Sequence, residues 1–208
     1  MQTSEYLEPN LDPIRHTDIY LIDLILKRTF NPPMKILDAG CGMGRNAEYF
    51  LQAGYEVFGA DISIDDIAYL AKRAESINPA LGAGHFRVEA LENLSFAPES
   101  MDVVICSAVL HFAKDEAHFM AMVERMWQVL KPGGVFFSRL ASSVGIENEI
   151  IPIEGRRYQL PDGSKRFLVD MDMLKRLTLE MNATYLEPLK TVQVHGLRSM
   201  SNWILRKG

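Results

Sequence analysis

Residues 36–46 read Ile-Leu-Asp-Ala-Gly-Cys-Gly-Met-Gly-Arg-Asn, an apolar run that passes directly into a glycine-rich turn. The apolar start predicts a buried strand, and the residues after the turn begin a helical pattern. Gly40, Gly42 and Gly44 stand on alternate positions and leave backbone without side chains, against which a ligand can lie. The stretch therefore predicts a strand, a ligand-binding turn and a helix, in that order.

Two common nucleotide ligands fit this turn poorly. A dinucleotide-binding turn carries Gly-x-Gly-x-x-Gly, and Arg45 occupies the position of its third glycine. A nucleoside triphosphatase loop closes on Gly-Lys-Ser or Gly-Lys-Thr, whereas this turn closes on Gly44-Arg45-Asn46. The sequence thus disfavours NAD or FAD and excludes a triphosphate-binding loop.

Strand-like runs alternate with helical patterns along the chain. The predicted strands are residues 35–39, 56–60, 86–89, 102–107 and 134–140. The predicted helices are residues 17–28, 46–52, 64–76, 116–130 and 171–181, and the Lys-Pro-Gly-Gly sequence at 131–134 is expected to end the fourth of them. This alternation predicts a single α/β domain in which a doubly wound, mostly parallel sheet carries helices on both faces.

Two features break the alternation after residue 140. Residues 157–169 hold two strand-like halves around Pro-Asp-Gly-Ser at 161–164, which predicts a hairpin inserted outside the sheet. The last two apolar runs, 185–194 and 202–206, are joined by a short link. Such a link favours an antiparallel pair, because a parallel crossover needs a dozen residues or more.

Acidic residues are placed where an open α/β sheet binds its ligand. Asp38, Asp61 and Glu89 lie at or near the carboxyl ends of three successive predicted strands. A pyrophosphate would be repelled there, whereas a ligand with a sulfonium, an ammonium and a ribose diol would be attracted. The charge pattern therefore predicts a positively charged nucleoside.

The overall composition excludes several classes of partner. The net charge is −5 and basic residues occur only in scattered pairs, so no nucleic-acid surface is predicted. No apolar run reaches membrane-spanning length, and no signal peptide is recognised, so the chain is expected to be cytosolic. Cys41 and Cys106 are expected to be reduced thiols, and no metal site is predicted.

Over residues 17–140 these motifs resemble the class I S-adenosylmethionine-dependent methyltransferase family. The resemblance implies a seven-stranded sheet with an antiparallel last strand, and S-adenosylmethionine (SAM) as cofactor. It implies that Asp38 and Gly40 approach the methionine part of SAM and that Asp61 holds the ribose. The further cofactor-binding residues that it suggests are Cys41, Gly42, Gly44, Asn46, Ile62, Glu89, Ala90, Leu91 and Ser107.

The sequence departs from the family after the third strand. Many relatives carry an Asp-Ala pair there that contacts adenine, but in this chain the acidic position falls on Ala90. Adenine recognition is then expected to rest on Glu89, on the backbone of Leu91 and on apolar contacts.

A histidine follows the fourth strand in a segment that resembles the family's stretch beneath the methyl donor. The position makes His111 a candidate general base. The alternative, which we favour, is that His111 caps the following helix or packs against the cofactor. The Asn-Pro-Pro sequence at 31–33 precedes the first strand and lacks a following aromatic residue, so it is interpreted as a linker and not as an amino-methyltransferase motif.

The predicted function is in-line methyl transfer from SAM to a small-molecule acceptor. The loop at 44–46 and residues 53–57 resemble the methyltransferase type 11 group and its tellurite-resistance-like branch. A helical cap at 1–33, around Tyr6, and an insertion or lid at 143–170 are expected to cover the acceptor. Candidate acceptor contacts are Arg139, Arg156, Arg157, Tyr158, His195 and Arg198, although for each of them a solvated surface position is the favoured interpretation. The alternatives are a non-catalytic SAM sensor or partner subunit and, less favoured, an NAD-linked oxidoreductase.

Overall fold

The computed structural model describes residues 11–82 and 84–208, and a central β-sheet organises them. The strands of this sheet are β1 (Lys35–Ala39), β2 (Glu56–Asp61), β3 (Phe86–Val88), β4 (Met101–Ser107), β5 (Leu130–Ala141), β9 (Ala183–Tyr185), β10 (Lys190–Val194) and β11 (Arg198–Lys207). A small separate sheet consists of β6 (Ile151–Glu154), β7 (Arg157–Gln159) and β8 (Lys165–Phe167). The predicted contribution of Tyr6 lies outside the described residues.

The helices cover both faces of the central sheet. They are α1 (Ile19–Leu26), α2 (Glu48–Gln52), α3 (Ile64–Ile77), α4 (Glu116–Val129) and α5 (Met171–Glu180), with single 3₁₀ turns at Asp12–Ile14, Leu91–Asn93 and Leu110–Phe112. Helices α3, α4 and α5 each begin at a side-chain cap, from Ser63, Asp115 and Asp170 respectively. The predicted helices are therefore confirmed, with ends that differ by up to two residues.

The strand order is β10-β11-β5-β4-β1-β2-β3. Neighbours from β5 to β3 run parallel, whereas β11 is antiparallel to both β5 and β10. The prediction of a doubly wound, mostly parallel sheet with an antiparallel last strand is confirmed. In the described part of the chain the sheet has eight strands and not seven, because the run predicted at 185–194 divides in two. Pro188 lies in the gap, and its nitrogen cannot donate to a strand ladder.

Alternate residues of the strands feed two separate apolar layers. Phe136 packs with α4 and α5 on one face, and Phe137 packs with α1, α2 and α3 on the other. Trp203 on β11 is fully buried in the first layer, where its Nε1 donates to Thr178 Oγ1 at 2.9 Å. Both faces of the sheet are thus covered by helices and buried from solvent, as is usual for a parallel sheet.

The helix stop at 131–134 proves to be part of a strand. Met101 pairs with Leu130 and Val103 pairs with Val135, so two steps along β4 match five steps along β5. The extra residues form a bulge in which Gly133 has φ +76°. Helix α4 ends at Val129, and β5 begins four residues before its predicted start.

The predicted hairpin in the insertion is confirmed, and a further strand precedes it. β7 and β8 pair antiparallel around the turn that contains Gly163, at φ +81°. β6 pairs with β7 but was missed, because all four of its residues are exposed and Pro152 interrupts the strand pattern. A bridge between Ser142 and Val169 joins the insertion to the end of β5.

No helix within residues 11–82 and 84–208 is both long and apolar enough to cross a membrane.

Candidate functional site

The glycine-rich loop curls over the end of β2. The backbone nitrogens of Gly40 and Cys41 both donate to the carbonyl oxygen of Ala60, at 2.8 and 3.1 Å. Gly40 has φ +77°, and a Cβ atom added there would overlap Val109. Gly42 has φ +49° with open space around its Cα. The loop therefore needs glycine at these positions for two reasons. The backbone has a positive φ there, and the absence of a side chain avoids overlap at Gly40 and leaves space beside the backbone at Gly42.

Gly44, the last glycine of the loop, is required by the packing of the loop against α3. It has φ +87°, and a side chain there would overlap Leu70 on the inner face of α3. The third glycine of the predicted turn thus lets α3 lie close to the loop.

Asp61 presents its carboxylate at the tip of β2. Gly42 N donates to Asp61 Oδ2 at 2.8 Å, and Ser63 N donates to Oδ1 at 3.0 Å. Each oxygen keeps a further lone pair, so that the carboxylate can also accept hydrogen bonds from a ligand. Backbone donors on both oxygens fix the orientation of the side chain before any ligand arrives.

Asp38 lies beneath the loop with 1% of its surface exposed. Its Oδ2 has no hydrogen-bond partner among the described residues. Burial raises the pKa of this carboxyl to about 7, the charge of Arg45 opposes that rise, and the charge of Asp61 adds to it. A buried acceptor of this kind is complementary to a cationic or hydrogen-bond-donating ligand group.

A polar network that the sequence did not reveal joins α1 to this site. Asp18 caps α1 by accepting from Tyr20 N at 3.0 Å. Its other oxygen, Oδ2, accepts from Ser107 Oγ at 3.0 Å and pairs with Arg139 Nη1 at 3.1 Å. Arg45 Nη2 in turn donates to Ser107 Oγ at 3.1 Å. Asp18 was missed because its local role as a helix cap accounts for its residue type.

The same network fastens the N-terminal segment to the glycine-rich loop. Asp18 N donates to Asn46 Oδ1 at 2.9 Å, and Thr17 Oγ1 donates to the carbonyl oxygen of Arg45 at 3.2 Å. Asn46 is 3% exposed and is therefore a partner of the segment and not part of an open surface. The segment that carries Arg15 and His16 is held over the loop in this way.

Glu89 follows β3, and its carboxylate is turned towards a neighbouring loop. Ser95 N donates to Glu89 Oε2 at 2.9 Å, and Ser95 Oγ donates to Oε1. Leu91 nearby is 5% exposed.

An open cavity of about 1460 Å³ lies above the carboxyl ends of β1, β2, β3 and β4. The structure brings these sequence-predicted residues into its wall: Gly40, Cys41, Gly42, Gly44, Asp61, Ile62, Glu89, Ala90, Leu91 and Ser107. Wall residues that sequence reasoning missed include Asp12, Arg15, His16, Met43, Arg45, Phe112, Lys114, His118 and Met122. A site for one drug-sized ligand measures about 300–1,000 Å³, so this cavity has room for two ligands side by side.

His111 lies on the 3₁₀ turn after β4, between wall residues of the cavity. Its ring is 8% exposed and is in contact with Phe112, and its Nδ1 is buried without a partner among the described residues. Burial, with a contribution from the positive charge of Arg166, lowers the pKa of His111 to about 4. The imidazole is therefore neutral at pH 7 and a weak proton acceptor.

The residues considered for acceptor contacts are dispersed. Arg156 Nη1 pairs with Asp170 Oδ2 at 2.7 Å, His195 is exposed in the β10–β11 turn, and Arg198 is exposed at the start of β11. Arg139 belongs to the Asp18 network. None of the six candidate residues is among those that line the cavity described above.

Both cysteines are unpaired and buried. Burial raises the pKa values of the Cys41 and Cys106 thiols above the ordinary value, and the negative charge of Asp38 adds to the effect. The two thiols are therefore protonated and chemically inert at neutral pH.

Known proteins share this architecture. Residues 36–134 match the methyltransferase domain family. In sequence the chain is similar to the ubiquinone biosynthesis O-methyltransferase of Sodalis glossinidius, with 31% identity over 136 residues that cover 64% of this chain and 53% of that protein. The chain spans about half the length of the curated relatives that it matches.

Solved structures agree on the fold. The PH0226 protein of Pyrococcus horikoshii has a TM-score of 0.69 and 21% identity, with 93% of this chain and 95% of that chain covered. The 1,6-didemethyltoxoflavin-N1-methyltransferase of Burkholderia thailandensis has a TM-score of 0.67 and 21% identity, with 94% and 80% covered.

The strand order, the glycine-rich loop and the matching methyltransferase-domain segment at residues 36–134 agree with the predicted resemblance to class I SAM-dependent methyltransferases. The comparisons give no support to an oxidoreductase.

Proposed function

We propose that this chain binds SAM in the cavity above β1 and β2 and transfers its methyl group to a small-molecule acceptor. The observation that carries the proposal is the pair of carboxylates beside bare backbone: Asp61 oriented by Gly42 N, and Asp38 buried with a free oxygen. A sulfonium, an ammonium and a ribose diol complement these two groups.

The roles of the loop residues follow from their positions. Asp61 accepts hydrogen bonds from the ribose hydroxyls while Gly42 N keeps its carboxylate turned towards them. We assign the methionine part to Gly40 in the cavity wall and to Asp38, which is buried behind that wall with its Oδ2 unpartnered in the described residues. Arg15 and Arg45 line the same cavity and supply positive charge for the methionine carboxylate.

Bound SAM supplies a methyl group that the sulfonium already activates, so the protein mainly has to align the acceptor and exclude water. The N-terminal segment is suited to this task, because Thr17 and Asp18 fasten it to the loop through Arg45 and Asn46. We infer that this segment and the insertion at 143–170 cover the acceptor.

Some methyl acceptors must lose a proton when they are methylated, and His111 is the candidate base for this step. His111 is buried and its pKa lies at about 4, so its geometry favours the packing role beneath the cavity over that of a general base. An acceptor whose nucleophile is already deprotonated, or is neutral with a lone pair, needs no base from this position.

Curated and structural relatives support a small acceptor. Their names include a ubiquinone biosynthesis O-methyltransferase and a 1,6-didemethyltoxoflavin-N1-methyltransferase. The space beside the nucleoside in a cavity of about 1460 Å³ suits an acceptor of that size. The net charge of −5 argues against nucleic acid, and the buried unpaired thiols fit a cytosolic setting.

The test has a binding step and a turnover step. Calorimetry with SAM, with S-adenosylhomocysteine (SAH) and with NADH should show binding of the first two only. The protein is then incubated with methyl-labelled SAM and a panel of small oxygen, nitrogen, sulfur and chalcogen nucleophiles, and label should appear in at least one product. Tight binding without transfer to any acceptor would favour a sensor, and binding of NADH alone would refute the proposal.

A further inference from the structure

The stretch after β3 lacks the acidic residue with which many relatives contact adenine. Ala90 occupies that position, so its side chain cannot accept a hydrogen bond from the exocyclic amino group of adenine. Some other group must distinguish a 6-amino purine from a 6-oxo purine, or the site does not distinguish them.

Three carboxylates line the cavity near the tips of β2 and β3. Asp61 accepts from the backbone nitrogens of Gly42 and Ser63. Both oxygens of Glu89 accept from Ser95. Glu92 is different, because within the described part of the chain its carboxylate accepts no hydrogen bond and its side chain is 29% exposed. Glu92 therefore keeps the acceptor capacity that the other two have already used in part.

The histidine beside Glu92 has a fixed orientation. Asp115 Oδ1 accepts from His118 N at 2.7 Å in the first turn of α4, and Lys114 N donates to His118 Nδ1 at 3.2 Å. Because Nδ1 accepts a proton donor, the neutral ring carries its own proton on Nε2.

This nitrogen lies next to the carboxylate of Glu92. His118 Nε2 lies 3.2 Å from Glu92 Oε1 without forming a hydrogen bond, and it has no hydrogen-bond partner in the described residues. The contact involves Oε1 only and leaves Oε2 of Glu92 able to accept a hydrogen bond from a ligand.

Apolar side chains line the same cavity as this carboxylate. Ile62 directly follows Asp61 and is 78% exposed at the cavity wall. Leu91 and Met122 are buried and form the wall beside Glu92. Ile62, Leu91 and Met122 therefore offer apolar surface to a flat base in the same cavity that Asp61 and Glu92 line.

We propose that Glu92 accepts a hydrogen bond from the exocyclic amino group of the purine and makes the cavity selective for 6-amino over 6-oxo nucleosides. The proposal rests on the proposed function, since it assumes that the ribose lies at Asp61. A 6-oxo purine would place a carbonyl oxygen against the carboxylate, and two acceptors repel each other.

The test compares two ligands that differ only at this edge. Dissociation constants for SAH and for S-inosylhomocysteine are measured by calorimetry on the wild type and on Glu92→Gln. The wild type should prefer SAH by about 10- to 100-fold, as a hydrogen bond to a charged group implies. Glu92→Gln should lower that preference at least tenfold, because the glutamine amide can also donate to the 6-oxo oxygen.

Two further variants separate this role from a general effect of charge. Glu75→Gln removes a carboxylate from an exposed position on α3 and should leave the preference unchanged. Glu89→Gln tests the competing assignment, and a preference that collapses there instead of at position 92 would overturn the proposal.

The remaining outcomes are equally decisive. Equal binding of both ligands by the wild type, or equal weakening of both by Glu92→Gln, would overturn the role of Glu92 while leaving the proposed function intact. Failure of the folded wild type to bind either ligand would overturn both.

Discussion

Replacing Asp61 by alanine tests the part of the site from which the ligand's position is inferred. The substitution removes the carboxylate that Gly42 N and Ser63 N orient at the tip of β2. Two ribose hydrogen bonds to a charged acceptor contribute about 1.5–3 kcal/mol each. Their loss should therefore weaken SAH binding by about 3–6 kcal/mol, roughly a factor of 10² to 10⁴.

The change in stability should be smaller than the change in affinity. Gly42 N and Ser63 N each lose one partner, but Asp61 is only partly buried, so water can replace the carboxylate. We expect the free energy of unfolding to fall by about 1–2 kcal/mol. Urea denaturation measures this quantity, and calorimetry with SAH measures the affinity.

A matched substitution separates charge from hydrogen bonding. Asp61→Asn retains one acceptor oxygen but loses the negative charge, and its affinity should lie between those of the wild type and the alanine variant. If Asp61→Ala is folded and binds SAH as tightly as the wild type, the ribose does not lie at β2 and our reasoning about the site is refuted.

Three other predictions concern the support of the site. Gly40→Ala should destabilise the fold by about 1–3 kcal/mol in urea, since its φ is +77° and its methyl would overlap Val109; an unchanged midpoint would contradict the packing argument. Asp18→Ala leaves Arg139 without its partner and should destabilise by about 2–4 kcal/mol, whereas a loss under 0.5 kcal/mol would mean that water replaces the ion pair. Because burial raises the pKa of Asp38 to about 7, the folded state holds its proton more tightly than the unfolded state. The contribution of this group to the free energy of unfolding therefore falls as the pH rises from about 4 to about 7. The free energy of unfolding of Asp38→Asn, measured relative to that of the wild type, should increase over the same range, and a constant difference would show that Asp38 titrates normally.

Local patterns predicted most of the fold. The predicted strand at 35–39 is found at the same residues, and the capped helices α3 and α4 differ from prediction by one residue. These elements follow from side-chain periodicity and capping, which act over a few residues. The strand β6 and the bulge at 131–134 were not predicted, because pairing with a distant strand decides both.

For the site, the sequence predicted residue types at positions but not the partners of their side chains. Gly40, Gly42, Gly44 and Asp61 line the cavity, and their binding of a cofactor stays a prediction. The carboxylate of Glu89 proved to be engaged by Ser95, and His111 proved to be buried. Rotamers depend on which residues pack nearby, and no local pattern specifies that.

The sequence by itself determined the alternation of strands and helices, the glycine-rich turn and the acidic residues at the strand ends, because backbone sterics and solvent exposure act locally. The tertiary structure alone decided that Asp18 meets Ser107 and Arg139, which lie 89 and 121 residues further along the chain. It also decided that Asp38 is buried enough to hold a proton near pH 7, since the desolvation of a charge depends on everything that surrounds it.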